Sequence, residues 1–257
     1  PSDPQWLGRD RFVLSCGHSS LTLYTQLFLA GYGLELSDIE KFRTADSLTP
    51  AHPEFGHTKG VEITTGPLGS GIASAVGMAM AARFEKGLFD PQSATTLFDH
   101  NVWVIASDGD LQEGISGEAS SIAGTQALGN LKVIYDDNRI SIEGDTHVAF
   151  TEDVMARYSA YGWNVIEAGE IANDCDALEA VLLSAKSNVG SPTLICLRTH
   201  IGFPSPEMTD KPEAHGNPFN AALVTSSKKV MGIPDEAFYA PAELVDAYRN
   251  HCAARGQ

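Results

Sequence analysis

The side chains best spaced for metal chemistry are Asp108 (which shares its turn with a second carboxylate, Asp110) and Asn138. The two carboxylates sit in Ser107-Asp108-Gly109-Asp110, a polar turn that follows the apolar run Val102-Trp103-Val104-Ile105-Ala106. Asn138 closes Asp136-Asp137-Asn138, which follows a second apolar run, Leu131-Lys132-Val133-Ile134-Tyr135. A carboxylate and an amide oxygen are hard donors suited to Mg²⁺, which completes its shell with phosphate oxygens and water. A second group of residues could meet an anion. His18 lies where a strand candidate gives way to a helix, and Gly66-Pro67-Leu68-Gly69-Ser70-Gly71 lets a ligand approach the backbone closely. His52 stands between two prolines in Thr49-Pro50-Ala51-His52-Pro53-Glu54-Phe55, a rigid place for a substrate contact. Each of these also has an ordinary reading. Asp-Gly is common in turns, a loop histidine often caps a carbonyl, and the glycine turn lacks the Gly-x-x-x-x-Gly-Lys-Ser/Thr pattern.

The elements that must position these residues alternate between strand and helix. Apolar run, acidic turn, a helix over 115–128 and a second apolar run spell a βαβ unit. Its crossover is right-handed and its strands parallel, so both strand ends reach one edge of the sheet. Asp108 and Asn138 would meet there, with the helix N-terminus favouring a diphosphate. Upstream, 11–15 reads as a strand and 21–30 as a helix with Leu21, Tyr24, Leu27 and Phe28 on one face. A short helix over 37–44 has Ser37 and Glu40 in capping-box spacing. Residues 61–65 alternate like a short strand, and 72–86 reads as a helix packed on all sides by small residues. Downstream come a helix over 151–161, a strand over 163–167, a helix over 174–187 and a strand over 192–198. A proline-rich loop then runs from Gly202 to His215-Gly216, before outer helices over 220–230 and 241–252. The pattern predicts an α/β fold: a doubly wound, mainly parallel sheet with helices on both faces.

Length and charge narrow the function. The 257 residues suit one α/β domain with a substantial core. A formal charge of −16 argues against a nucleic-acid partner, which would want a basic face. No apolar run reaches the roughly 18 residues of a membrane helix, so no membrane partner is expected. Cys16, Cys175, Cys196 and Cys252 show neither close pairing nor zinc spacing, which fits reduced thiols and a cytoplasmic location. The start, Pro1-Ser2-Asp3-Pro4, is polar and lacks Met, so the chain is expected to be N-terminally incomplete or processed.

Taken together, the motifs resemble the N-terminal, diphosphate-binding domain of transketolases, over 1–257, with a pattern closest to the actinobacterial type. The resemblance rests on Asp10-Arg11-Phe12-Val13-Leu14-Ser15 with Gly17-His18, and on Thr49-Pro50 with His52-Pro53-Glu54. It continues through Gly60-Val61-Glu62, Thr64-Thr65-Gly66-Pro67-Leu68-Gly69, and Asp108-Gly109 with Gln112-Glu113-Gly114. Tyr161-Gly162-Trp163 and His215-Gly216 extend it toward the end. Four positions depart from the family pattern: Cys16 stands for Asn, Ala51 for Gly, Ser70 for Gln and Ser107 for Gly.

The resemblance implies roles residue by residue. The cofactor would be thiamine diphosphate with Mg²⁺ or Ca²⁺. Asp108, Asn138 and the carbonyl of Ile140 would hold the metal. His18, Gly109 and His215 would contact the diphosphate, and Gly66, Pro67 and Leu68 would lie along the cofactor rings. His52, His215 and Glu113 would be catalytic, the two histidines facing the donor sugar and Glu113, with Glu118, lying at a subunit interface. The implied activity is transfer of a two-carbon ketol unit between sugar phosphates in the pentose phosphate pathway. The site would be shared with a pyrimidine-binding domain, on the same or a separate chain, in a homodimer or heterotetramer. Dihydroxyacetone synthase, deoxyxylulose-phosphate synthase and a non-catalytic assembly module are the competing readings.

Overall fold

A strand buried on both faces must be apolar along its whole length, and five of the six strand-like stretches in this chain pair into one sheet. The computed structural model describes residues 3–255, so Pro1 and Ser2 of the polar N-terminus lie outside the described residues. The strands are β1 (Arg11–Leu14), β2 (Val102–Ser107), β3 (Leu131–Asp137), β4 (Asn164–Gly169) and β5 (Thr193–Arg198). All pairings are parallel, in the order β1-β2-β3-β5-β4. The helices are α1 (Ser20–Leu29), α2 (Leu36–Glu40), α3 (Ser70–Phe89), α4 (Asp108–Gln112), α5 (Gly114–Thr125), α6 (Val154–Ala160), α7 (Cys175–Ser187), α8 (Ala221–Met231) and α9 (Ala242–Arg255).

Side-chain alternation along each strand feeds two cores, one on each face. On one face Val102, Val104 and Val133 meet Ile72, Ala75 and Ala79 of α3 and Ala123 of α5. Small residues there let helix and sheet approach closely. On the other face Leu14 meets Leu23, Tyr24, Leu27 and Phe28 of α1, with Val245 of α9 in the same cluster. Helices on both faces of a parallel α/β sheet are the arrangement the sequence pattern predicts.

Several local expectations are corrected. The stretch 61–65 is not a strand, because its polar groups are used in loop contacts: Thr65 N–H donates to Pro53 O at 3.1 Å and its hydroxyl to Leu14 O at 2.8 Å. Leu21 is exposed, and Leu23 takes its place on the buried face of α1. The short helix α2 is capped by Glu35 and Asp38 rather than by Ser37 and Glu40. The α3 helix is buried on one face only, since Met80, Phe84 and Leu88 are exposed. The α5 helix stops at Thr125, and Ala127 takes a positive φ of 49° that ends the turn. The α6 helix begins after Asp153, whose carboxylate accepts from Ala156 N–H at 2.9 Å, leaving Thr151 outside.

Candidate functional site

The register of β2 with β3 sets Ser107 opposite Asp136, so the acidic stretch and the Asn138 stretch reach the same edge. The expected polar turn is a short helix, α4. Ser107 caps it, and its N–H and hydroxyl reach Asp110 Oδ2 at 2.9 and 3.2 Å. Asp108 is 3% exposed. Its Oδ1 accepts from the Tyr135 hydroxyl and its Oδ2 from Arg139 N–H at 3.3 Å, which places the residue after Asn138 directly on this carboxylate. Asn138 Oδ1 accepts from Ile140 N–H at 2.9 Å, while its amide donates to Asp136 Oδ2 at 3.3 Å. Burial pushes the Asp108 carboxyl up to about 6. The Tyr135 and Arg139 bonds oppose this, and the charges of Asp137 and Asp136 add to it.

A divalent cation suits this edge. Asp108 is a buried carboxylate with no ion-pair partner among the described residues, and Asn138, the residue before Arg139, offers an amide oxygen that is also a hard donor. No group of three His, Cys, Asp or Glu side chains able to hold a metal occurs among the described residues. A centre here therefore depends on the amide and on main-chain oxygens. Ile140 is held close by its bond to Asn138 and by a bridge to Asp145. A cavity of ≈ 410 Å³ opens beside Asp108, lined also by Tyr135, Asp137, Arg139, Asp145 and Cys196.

The histidines gather at the same edge from distant parts of the chain. His18 sits in a single 3₁₀ turn, Gly17–Ser19, right after β1, and its ring stacks on that of His215 with centroids 5.0 Å apart. Partial burial lowers the pKa of both, and in His18 the neighbouring His215 and His52 push the same way while Asp110 and Asp136 oppose. Tyr24 donates to His52 O at 3.2 Å and Ser20 to Ala51 O at 2.8 Å, fastening the His52 loop to α1. The His52 ring covers Gly66, where φ is +146° and an added Cβ would come within 3.3 Å of the imidazole. Gly17 is equally constrained: a Cβ there would sit 2.7 Å from the Thr65 hydroxyl. Leu68 lies over Gly109, with Cδ1 only 2.9 Å from where a Cβ would stand. Pro67 O accepts from the Ser70 hydroxyl at 2.6 Å, closing the glycine turn onto α3. Glu113 stands at the junction of α4 and α5, beside Gly69. Its carboxylate and that of Glu118 are exposed and unpaired among the described residues.

A family model described as transketolase, thiamine diphosphate binding domain, matches residues 1–257. The chain belongs to the transketolase family. The transketolase of Mycobacterium leprae is 54% identical over 261 residues, covering 100% of this chain and 37% of that protein. That of Mycobacterium tuberculosis is 55% identical over 262 residues with the same coverage. Among solved structures, the Pichia stipitis transketolase complexed with sedoheptulose 7-phosphate has a TM-score of 0.93 at 43% identity, over 100% of this chain and 38% of that one. This transketolase chain thus spans little more than a third of the length of its relatives. The mycobacterial likeness agrees with the actinobacterial pattern.

Structure adds three residues to which the transketolase resemblance gave no role. Tyr135 holds Asp108, Thr199 donates to Asp136, and Ser15 donates to Asp110 at 2.7 Å. The Ser107-x-x-Asp110 spacing is a capping-box signal visible in the sequence. Nothing in the sequence pairs Tyr135 or Thr199 with their acids, since those contacts need the sheet register.

Proposed function

We propose that this chain supplies the diphosphate- and metal-binding half of a transketolase site, for transfer of a two-carbon ketol unit from a ketose phosphate to an aldose phosphate. The observation that carries this is the gathering of His18, His52, His215, the Gly66–Leu68 turn and Asp108 at one strand edge. Asp108, Asn138 and the Ile140 carbonyl hold Mg²⁺ or Ca²⁺. His18, His215 and the Gly109 backbone hold the diphosphate, and Gly66, Pro67 and Leu68 border the rings. When bound, thiamine diphosphate supplies a carbon nucleophile and an electron sink. The chain's own part is to orient, to exclude water and to move protons. Lowered imidazole pKa values favour neutral rings. Neutral His215 and the nearby His52 can each give a hydrogen bond to a sugar oxygen or take its proton.

Sugar phosphates as substrates are supported by the Pichia stipitis transketolases solved with sedoheptulose 7-phosphate, xylulose 5-phosphate and fructose 6-phosphate. The remaining length of the relatives supports a pyrimidine-binding domain as partner, on the same or another chain, in a homodimer or heterotetramer. The exposed Glu113 and Glu118 are available to such an interface, making Glu113 a catalytic contributor only when the partner is present. A pentose-phosphate role in the cytoplasm suits the four free thiols. No helix among the described residues is long and apolar enough to cross a membrane.

The deciding test is calorimetric titration of the chain with thiamine diphosphate, with and without Mg²⁺, followed by addition of the pyrimidine-binding and C-terminal domains in trans. Metal-dependent binding and restored ketol transfer from xylulose 5-phosphate are expected. Failure of both in the reconstituted enzyme overturns the reading. Turnover of pyruvate or formaldehyde instead would favour the related thiamine-diphosphate enzymes.

A further inference from the structure

We propose that Asp110 is the positioning residue of this edge: one saturated carboxylate that ties the histidine turn, the glycine turn and the acidic helix together. The inference rests on the reading of the site given above. Asp110 is fully buried and has no cationic partner among the described residues. Its Oδ1 accepts from the Ser15 hydroxyl at 2.7 Å and from Gly69 N–H at 2.8 Å. Its Oδ2 accepts from Ser107 N–H at 2.9 Å and from the Ser107 hydroxyl at 3.2 Å. A carboxylate offers about four lone-pair sites, and here four donors fill them.

The three residues that supply these donors belong to three different ligand-bearing segments. Ser15 directly follows β1, three residues before His18. Gly69 closes the turn that carries Gly66, Pro67 and Leu68. Ser107 immediately precedes Asp108 and Gly109. Ser15 Oγ also accepts from Ile72 N–H at 3.1 Å, and the Asp110 carbonyl accepts from the Ser116 hydroxyl, so α3 and α5 are drawn into the same knot. Asp108, two residues away, is the complement. One of its oxygens carries a hydroxyl bond and the other a long 3.3 Å contact, leaving lone pairs for a metal. Of the two neighbouring acids, one is free to bind a ligand and the other is occupied in holding the residues that bind it.

The test uses the whole chain, with thiamine diphosphate and Mg²⁺ as probes. Asp110→Asn keeps the shape but sets an amide NH2 against one pair of the four donors, and Ser15→Ala removes one donor to Asp110 together with the acceptor of Ile72 N–H. Leu128→Ala, in the core and away from this edge, serves as a control for general destabilisation. Backbone hydrogen exchange should rise together in segments 15–20, 66–72 and 107–110 for Asp110→Asn, and Kd should rise about tenfold, with about threefold for Ser15→Ala. The control should lose Tm with Kd unchanged. If both clamp variants lose Tm while Kd and local exchange match those of the control, Asp110 is structural only and the proposal is overturned. If Asp110→Asn does not fold, Ser15→Ala decides alone. If the wild-type chain binds no cofactor even with its partner domains, the site reading falls, and the exchange measurement still decides whether Asp110 holds the three segments.

Discussion

Neutralising Asp108 should make the metal-free chain more stable while destroying its metal-dependent binding. Burial lifts this carboxyl from its ordinary 3.8 to about 6. Each tenfold change in acidity corresponds to about 1.36 kcal/mol, so the ionised form costs the fold about 3 kcal/mol. The sign follows from the direction of the shift. A carboxyl whose folded pKa is raised favours folding when protonated, so that contribution is complete below about pH 4 and lost as pH climbs through 6. Asp108→Asn keeps the neutral shape at every pH, and its amide can still meet the Tyr135 hydroxyl and Arg139 N–H. In chelator, at pH 8, urea unfolding should therefore show the variant more stable by about 3 kcal/mol, an upper figure because the denatured chain is not fully solvated. The difference should shrink to about half near pH 5 and vanish near pH 3.5. Calorimetry at pH 8 should show thiamine-diphosphate binding that no longer responds to Mg²⁺. A variant less stable than wild type at pH 8, or a stability gap that does not change with pH, would refute the reasoning. Retained Mg²⁺ dependence would remove Asp108 from the ligand set.

Other positions give sharper contrasts. In the reconstituted enzyme, His52→Ala should lower kcat more than it weakens cofactor binding, and a pure cofactor-affinity defect by calorimetry would contradict a substrate-facing role. Gly66→Ala should destabilise the chain by about 1–3 kcal/mol in urea unfolding, because φ is +146° and the new Cβ meets His52. A neutral result there would mean that the turn relaxes. Lys132 is fully buried with Asn188 O as its one acceptor, and burial lowers its amine to about 8. Lys132→Met should raise Tm at pH 7, with the gain fading as pH rises from 8 toward 10.5, and a pH-independent gain would point to packing instead.

The parallel sheet was legible because its strands are buried on both faces, so that runs such as Val102–Ala106 stand out against everything around them. The acidic turn was harder. Asp108-Gly109 carries a turn signal, and only the side-chain bonds between Ser107 and Asp110 convert it into a short helix. The alternation at 61–65 misled for the opposite reason: its pattern suits a strand, yet the backbone follows the loop that Pro53 and Leu14 fix. In the site, periodicity could bring Asp108 and Asn138 together through one βαβ unit. It could not bring His215 to His18, since no local rule spans that interval. That pairing came from the family resemblance, and the ring stack is its geometric expression.

The strand order has a consequence for how the molecule is made. Among the described residues β5 is the last strand in the chain, yet it is an interior one and the only strand that pairs with β4. Until Arg198 has been synthesised, β4 has no hydrogen-bonding partner and β3 presents a bare edge beside Asp136 and Asp137. The stretch carrying His215 comes later still. Assembly of this edge therefore waits until the His215 stretch has been made, as distant pairings are slow to form. A nascent chain stalled before β5 should expose an open sheet edge and bind no cofactor, leaving a window in which chaperones, rather than thiamine diphosphate, protect it.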